Sequence, residues 1–239
     1  MSHPDLSETT ELTECAALVV GGGSGSRFGG DKLTIPLAGR PLLAWSLIAF
    51  EQSPLISSIV VVAPPGQEET FRRIAGESGI SKLTSVVSGG QHRHDSVCLG
   101  LKALPATVDL VAIHDAARPL VTVDLIMKCL RTAMESGASA AAVPVTDTLH
   151  LADQERCAAQ TVDRAGLWAM QTPQVFPSRA LAKLLDGVVA GTPTDEVSLG
   201  LAAGWRVSFV ESLQPNLKVT WPDDLGTAEA ILRFREQRR

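Results

Sequence analysis

Apolar and polar positions fall in blocks along this chain, each apolar block either strand-sized or spaced as a helix face. Ala16 to Val20 is an unbroken apolar run that stops at GGGSGSRFGG, the pattern of a buried strand feeding a glycine-rich loop. Pro41 opens LLAWSLIAFEQ, read as an amphipathic helix with proline in its first turn, and Ser57 to Val62 is a β-branched strand closed by Ala63-Pro64-Pro65. The alternation continues with a helix near Gln67 to Glu77, a strand near Leu83 to Val87, and a helix from His94 to Leu104. A strand at Val108 to Ile113, a helix near Val123 to Glu135 and a strand at Ala138 to Val145 follow. Alternation of this length predicts an α/β fold: a doubly wound, mostly parallel, Rossmann-like sheet with right-handed crossovers and helices on both faces.

Thr146 to about Thr161 breaks the rhythm, being polar and without a long apolar face, and is predicted as an excursion or protruding β-arm. Beyond it the pattern predicts helices at Ser178 to Val189 and Asp195 to Ala203, strands at Arg206 to Val210 and Leu217 to Thr220, and a C-terminal helix from Pro222. The organisation read from this is a polar leader over 1–14 and a single domain over 15–239, with the arm near 146–163.

Composition narrows the class. A net charge of -5 without a Lys/Arg-rich run argues against nucleic acid as a partner. The apolar runs are too short for a membrane span, and the polar, acidic start is no secretory signal, so a cytoplasmic protein is expected. Cys15, Cys98, Cys129 and Cys157 lie far apart with no C-x-x-C pair, which predicts reduced, mostly buried thiols rather than a disulfide framework or zinc site.

In an open parallel sheet, ligands bind at the carboxyl ends of strands, beside the point where strand order reverses. Here the glycine loop, Gly89-Gly90, His114-Asp115 and Asp147-Thr148 all follow predicted strands. The loop is no P-loop, since Lys32 sits between Asp31 and Leu33 and the magnesium-holding hydroxyl is missing. As a dinucleotide fingerprint it lacks its last glycine at Ser26, and no acidic residue ends the second strand. Its distinctive content is Arg27 and Lys32 on a loop whose backbone N–H groups, including those of Gly21, Gly22, Gly23 and Gly25, can wrap a triphosphate; the alternative is a structural turn with solvated charges. Asp115, at the end of a strongly apolar strand, is placed to hold a hard divalent cation or a ribose hydroxyl, or to make an Asx turn. Arg118 would clamp a phosphate or pair with a carboxylate, and His114 reads as a satisfied, semi-buried histidine. No G-x-S-x-G or H-E-x-x-H motif is present, so covalent catalysis has no support.

Taken together, GGGSGSRFGGDK, SGGQHRHDSV, VAIHDAARP, PVTDTLH, TVDRAGLWAMQTPQVF, TDEVS and NLKVT resemble, in order and over nearly the whole chain, the 2-C-methyl-D-erythritol 4-phosphate cytidylyltransferases of isoprenoid biosynthesis. The resemblance implies transfer of CMP from CTP to a sugar-alcohol phosphate with Mg2+ or another divalent cation, in a homodimer that exchanges the arm. The alternatives are ribitol 5-phosphate as acceptor, or a non-catalytic nucleotide-binding homologue. It implies that Arg27 and Lys32 grip the CTP phosphates and that Lys218 approaches the α-phosphate. Gly89, Gly90 and Ser96 match the cytosine-recognising segment, and Asp115 and Arg118 match residues near the metal and substrate hydroxyls. Thr148, Arg164, Thr172 and Thr194 match the acceptor-phosphate pocket, with Thr148 and Arg164 reaching it from the partner subunit. The chain departs from the family at Gly21 and Gly22, where alanines are usual, and at Asp31 and Leu33. Asp31 places a negative charge beside the triphosphate site, so it either points away or weakens nucleotide binding.

Overall fold

The structure is a computed structural model that describes residues 13–22, 28, 31–186 and 195–238. Its centre is β1 (Cys15–Val20), six residues buried to the last side chain, with parallel neighbours on both edges and helices over both faces. One neighbour is β4 (Ile56–Ala63), which in turn pairs with β5 (Leu83–Ser88); the other is β6 (Leu110–Asp115). Beyond β6 lie β10 (Trp168–Pro177), β7 (Ser139–Pro144) and β11 (Ser208–Glu211), giving the order β11-β7-β10-β6-β1-β4-β5. Only β10 in this sheet runs antiparallel to its neighbours. Strands buried on both faces need no polar alternation, which is why the sequence shows them as continuous apolar runs.

The strand period of two divides the core between the faces. Cys15, Ala17 and Val19 pack with α1 (Leu42–Glu51), α2 (Glu68–Glu77), α4 (Val123–Ser136) and α7 (Asp224–Glu236). Leu18 and Val20 point the other way, to α3 (Arg93–Lys102), α5 (Ser178–Asp186) and α6 (Glu196–Ala202). The doubly wound arrangement is therefore as read. The helix α1 differs from expectation: Leu42, Leu43, Ala44, Ser46, Leu47, Ala49 and Phe50 are all buried, so it is enclosed nearly all round rather than amphipathic.

Three other features depart from the sequence reading. The sequence pattern does not predict the strand β10. Leu217 to Thr220 is not a strand, because its backbone bonds to a loop, with Val219 N–H donating to the Ala117 carbonyl at 2.8 Å. A small hairpin of β2 (Pro36–Leu37) and β3 (Arg40–Pro41) precedes α1, its turn holding Gly39 at φ 80. The polar excursion does form a two-stranded sheet, β8 (Leu149–Ala152) with β9 (Ala158–Val162), pairing with each other and not with the main sheet. Among the described residues, no helix is long and apolar enough to cross a membrane.

Candidate active site

The strand order reverses at β1: the next strand of the main sheet, β4, lies on one side while β6 lies on the other, and the crevice at their carboxyl ends is where a ligand is expected. Gly21 and Gly22 leave β1 there. A Cβ on Gly22 would stand 2.6 Å from Ser96 Oγ, so glycine is what lets this loop lie against the start of α3. Ser96 is fully buried, accepts a bond from Gly90 N–H at 3.1 Å and donates to the His92 carbonyl at 3.1 Å. Its hydroxyl thus fixes the turn through Gly89 and Gly90, and Gly89, like Gly22, has no room for a side chain toward it.

Asp115 ends β6 and is 8 % exposed. Lys218 Nζ donates to its Oδ2 at 2.8 Å, Arg93 Nε donates to its Oδ1 at 3.2 Å, and Arg118 Nε stands 3.8 Å from Oδ2. Burial alone would raise the carboxyl pKa, but Arg93, Lys218 and Arg118 overcome it and hold Asp115 well below the usual carboxylate range. Arg93 is further clamped by Glu196, which is 2 % exposed and accepts from Nη1 at 2.6 Å and Nη2 at 2.9 Å. Burial would lower the Arg93 pKa, yet the two carboxylates raise it above the ordinary arginine value. Arg118 is lowered, mainly by burial, and is held by the Asn216 carbonyl at 2.8 Å and the Met170 carbonyl at 3.4 Å.

Lys32 joins this group from the far side of the glycine loop, donating to the Val219 carbonyl at 2.7 Å, one residue from Lys218. Its neighbour Asp31 accepts from Leu33 N–H at 3.1 Å and from the Thr34 hydroxyl at 3.0 Å, so the carboxylate is committed to its own turn. Lys32, Arg93, Arg118 and Lys218 stand against Asp115 and Glu196, leaving the cluster positively charged and suited to a polyanion.

Thr172 enters from β10 at a break in register between Met170 and Gln174, a bulge that aims its side chain at the end of β6. The buried Thr172 hydroxyl accepts from Asp115 N–H at 3.1 Å and lies 3.0 Å from His114 Nδ1. His114 Nε2 lies 3.3 Å from the Arg118 carbonyl, which can only accept. Nε2 therefore carries the proton, Nδ1 accepts from Thr172, and the ring is neutral. Burial accordingly pushes the His114 pKa down to about 3. With both nitrogens committed, His114 is a packing and orienting residue, as the sequence suggested.

The expected residues Asp115, Arg118, Thr172, Lys218 and Lys32 thus converge, with Gly21, Gly22, Gly89, Gly90 and Ser96 forming the adjoining glycine-lined wall. Thr148 and Arg164 do not join them: both are exposed at the base of the β8-β9 arm, where Arg164 Nη1 donates to the Thr146 carbonyl. Gly23, Gly25, Arg27 and Thr194 lie outside the described residues. Arg93, Glu196 and Asn216 were missed. Asn216 Nδ2 donates to the Thr172 carbonyl at 2.9 Å and to Gln171 Oε1 at 3.1 Å, anchoring the stretch that carries Lys218. The available signals were an arginine at the first position of a helix after Gly89-Gly90, and an acidic residue opening a helix whose other inward positions are apolar.

For a divalent cation the donor set is sparse. Among the described residues, no group of three or more His, Cys, Asp or Glu side chains is placed to hold one. Asp115 alone fits the style of magnesium, which is commonly held by one or two carboxylates with substrate phosphates and water completing its shell.

The family profile described as 2-C-methyl-D-erythritol 4-phosphate cytidylyltransferase matches residues 15–234. A protein of that name from Prochlorococcus marinus is 40% identical over 225 residues, which cover 91% of this chain and 98% of the relative. The crystal structure of the cytidylyltransferase from Thermus thermophilus superposes with a TM-score of 0.72 at 32% identity, covering 92% of this chain and 100% of that one. The structure of 4-diphosphocytidyl-2C-methyl-D-erythritol synthase from Anaerococcus prevotii gives a TM-score of 0.81 at 25% identity, over 92% and 96% of the two chains. With its profile match spanning the strands, the glycine-lined wall and the Asp115 cluster alike, this chain belongs to the 2-C-methyl-D-erythritol 4-phosphate cytidylyltransferase family.

Proposed function

We propose that this protein transfers CMP from CTP to 2-C-methyl-D-erythritol 4-phosphate, releasing pyrophosphate. The observation that carries the reading is the buried Asp115 carboxylate gripped by Lys218 and Arg93, beside Lys32, at the strand-order reversal of a chain in this family. The chemistry is an in-line attack of an acceptor phosphate oxygen on the α-phosphorus of CTP; the new P–O bond forms as the bond to pyrophosphate breaks. The attacking phosphate is already ionised, so no general base is needed, in keeping with a neutral His114 whose two nitrogens are both bonded. What the reaction needs is alignment of two anions and neutralisation of the charge they bring together. Lys32 and Lys218 supply fixed positive charge, while Gly22, Gly89, Gly90 and Ser96 line the side suited to the flat cytosine base.

Magnesium would enter with the triphosphate, with Asp115 as its one protein ligand, and would supply further neutralisation of phosphate charge. The homodimer belongs to the same reading. Among the described residues, the Asp115 cluster takes no bond from Thr148 or Arg164, which are exposed at the base of the arm, and the arm's exposed Leu151 offers apolar surface to a second copy. A cytoplasmic location fits the four free cysteines.

The test is pyrophosphate release by the purified protein with CTP, magnesium and each acceptor in turn. Release with methylerythritol 4-phosphate is the expected result. Release only with ribitol 5-phosphate would keep the mechanism and change the acceptor, and release with neither would leave a nucleotide-binding homologue without turnover.

A further inference from the structure

Arg93 is the first residue of α3, where the exposed N–H groups already present positive charge and a cation is disfavoured. It is nevertheless three-quarters buried, and its five donors are shared unequally: the Nη1/Nη2 fork goes wholly to Glu196, and only Nε is left for Asp115. Glu196 is the first residue of α6, where a carboxylate is favoured, and Arg93 is the partner its buried carboxylate has. The end of α6 that carries it is fixed independently, since Asp195 caps the helix through Ser198 N–H at 2.9 Å and accepts from Gln174 Nε2 of β10 at 3.0 Å.

We propose that Glu196 is a positioning residue of the active site: by occupying the arginine fork it keeps Arg93 from gripping Asp115 with both Nη groups. A guanidinium fork and a carboxylate make their strongest contact when two parallel bonds form. Without Glu196, the fork of Arg93 is free to turn and bind both Asp115 oxygens, displacing Lys218 from Oδ2. With Glu196 in place, Arg93 contributes a single bond to Oδ1, and Oδ2 stays with the lysine that the reaction uses. The inference rests on the cytidylyltransferase reading for its kinetic consequence but not for its geometry.

The test compares Glu196→Gln, Glu196→Asp and Arg93→Lys in the full chain. Arginine Nε–H groups give resolved signals in a 1H–15N correlation spectrum, and the Arg93 signal is identified by its loss in Arg93→Lys. In the parent protein this N–H is expected to be protected from solvent exchange; Glu196→Gln should move the signal and reduce its protection at least about tenfold, with Glu196→Asp intermediate. In pyrophosphate release, Glu196→Gln should lower kcat by roughly tenfold to a hundredfold, the scale of a misplacement of about an ångström, while KM for CTP changes less than about threefold. An Arg93 signal unmoved in Glu196→Gln would overturn the proposal and leave Glu196 as a mere anchor for α6; so would a moved signal with full turnover. If Glu196→Gln does not fold, the Glu196→Asp spectrum decides the matter by the same criterion. If the parent protein releases no pyrophosphate, the cytidylyltransferase reading fails by itself and the spectrum still decides the role of Glu196.

Discussion

Lys218 Nζ lies 2.8 Å from Asp115 Oδ2, so the lysine expected at the α-phosphate and the carboxylate expected at the metal are bonded to each other. Lys218 is the more exposed partner, with 38% of its side chain accessible against 11% for Asp115. A triphosphate entering the crevice therefore meets a lysine able to exchange one anion for another, while Asp115 keeps Arg93.

Loss of Lys218 should accordingly be felt in turnover and hardly in stability. Lys218→Ala is expected to reduce kcat by on the order of a hundredfold or more, because the charge it neutralises grows in the transition state. Lys218 is 38% accessible and Asp115 keeps Arg93 and Arg118 when the lysine is lost, so the cost should be on the order of 1 kcal/mol and thermal denaturation should shift by only a few degrees. Unchanged kcat in the variant would remove Lys218 from the mechanism.

His114 sets an acid limit on folding. Its folded pKa, pushed down to about 3, lies below the ordinary value of 6.5, so between these the unfolded chain binds a proton that the folded one refuses. Stability is then complete above about pH 6.5 and is lost progressively as pH falls toward 3, by an amount on the order of a few kcal/mol. In metal-free buffer, urea denaturation across this range should show a steeper decline for the parent protein than for His114→Gln. Parallel pH profiles would mean that the ring is charged in the folded protein.

The thiols should separate by burial. Desolvation pushes Cys15 and Cys129 up to about 12, with the Asp109 charge adding to Cys15, and both are fully buried; Cys98 is raised and half-buried, while Cys157 is exposed on the arm. With a thiol-specific disulfide reagent at neutral pH, Cys157 should react first and Cys98 more slowly, with Cys15 and Cys129 reacting only on unfolding. Rapid labelling of Cys129 would contradict the packing of α4 against the sheet.

The sequence carried the parallel strands and the placement of Asp115 because a strand buried on both faces is an unbroken apolar run, and the residue ending it must face the rim. It did not carry β10, whose WAMQTPQVFP mixes Gln171, Thr172, Pro173 and Gln174 into an apolar frame. Those are the residues of the bulge that builds the site, so function itself erased the strand pattern. Nor did it reveal the Arg93 and Glu196 pair, whose members are 103 residues apart and sit at two helix starts that only the fold brings together. The motif finds Lys218, but its segment has strand-like residues without a strand's backbone ladder, because Asn216 ties it to β10 through its side chain and Val219 ties it to a loop.

The arm makes the last prediction. Thr148 and Arg164 lie on an excursion that leaves the main sheet, while Lys218 lies in the body beside Asp115. If each site draws Lys218 from one chain and Arg164 from its partner, then Lys218→Ala and Arg164→Ala are each nearly inactive alone but complement one another. In a mixed dimer, the body of the Arg164→Ala chain has its own intact Lys218 and receives an intact Arg164 from the other chain, whereas the second site is doubly defective. Random reassociation of equal amounts makes about half of the dimers mixed, each with one working site of two, so about a quarter of parent activity should return. Co-refolding the two variants and measuring pyrophosphate release checks this directly. Recovery would place Arg164 across the interface; two variants that stay inactive together would put both residues in the same site of one chain, and the arm would then have to fold back on its own body.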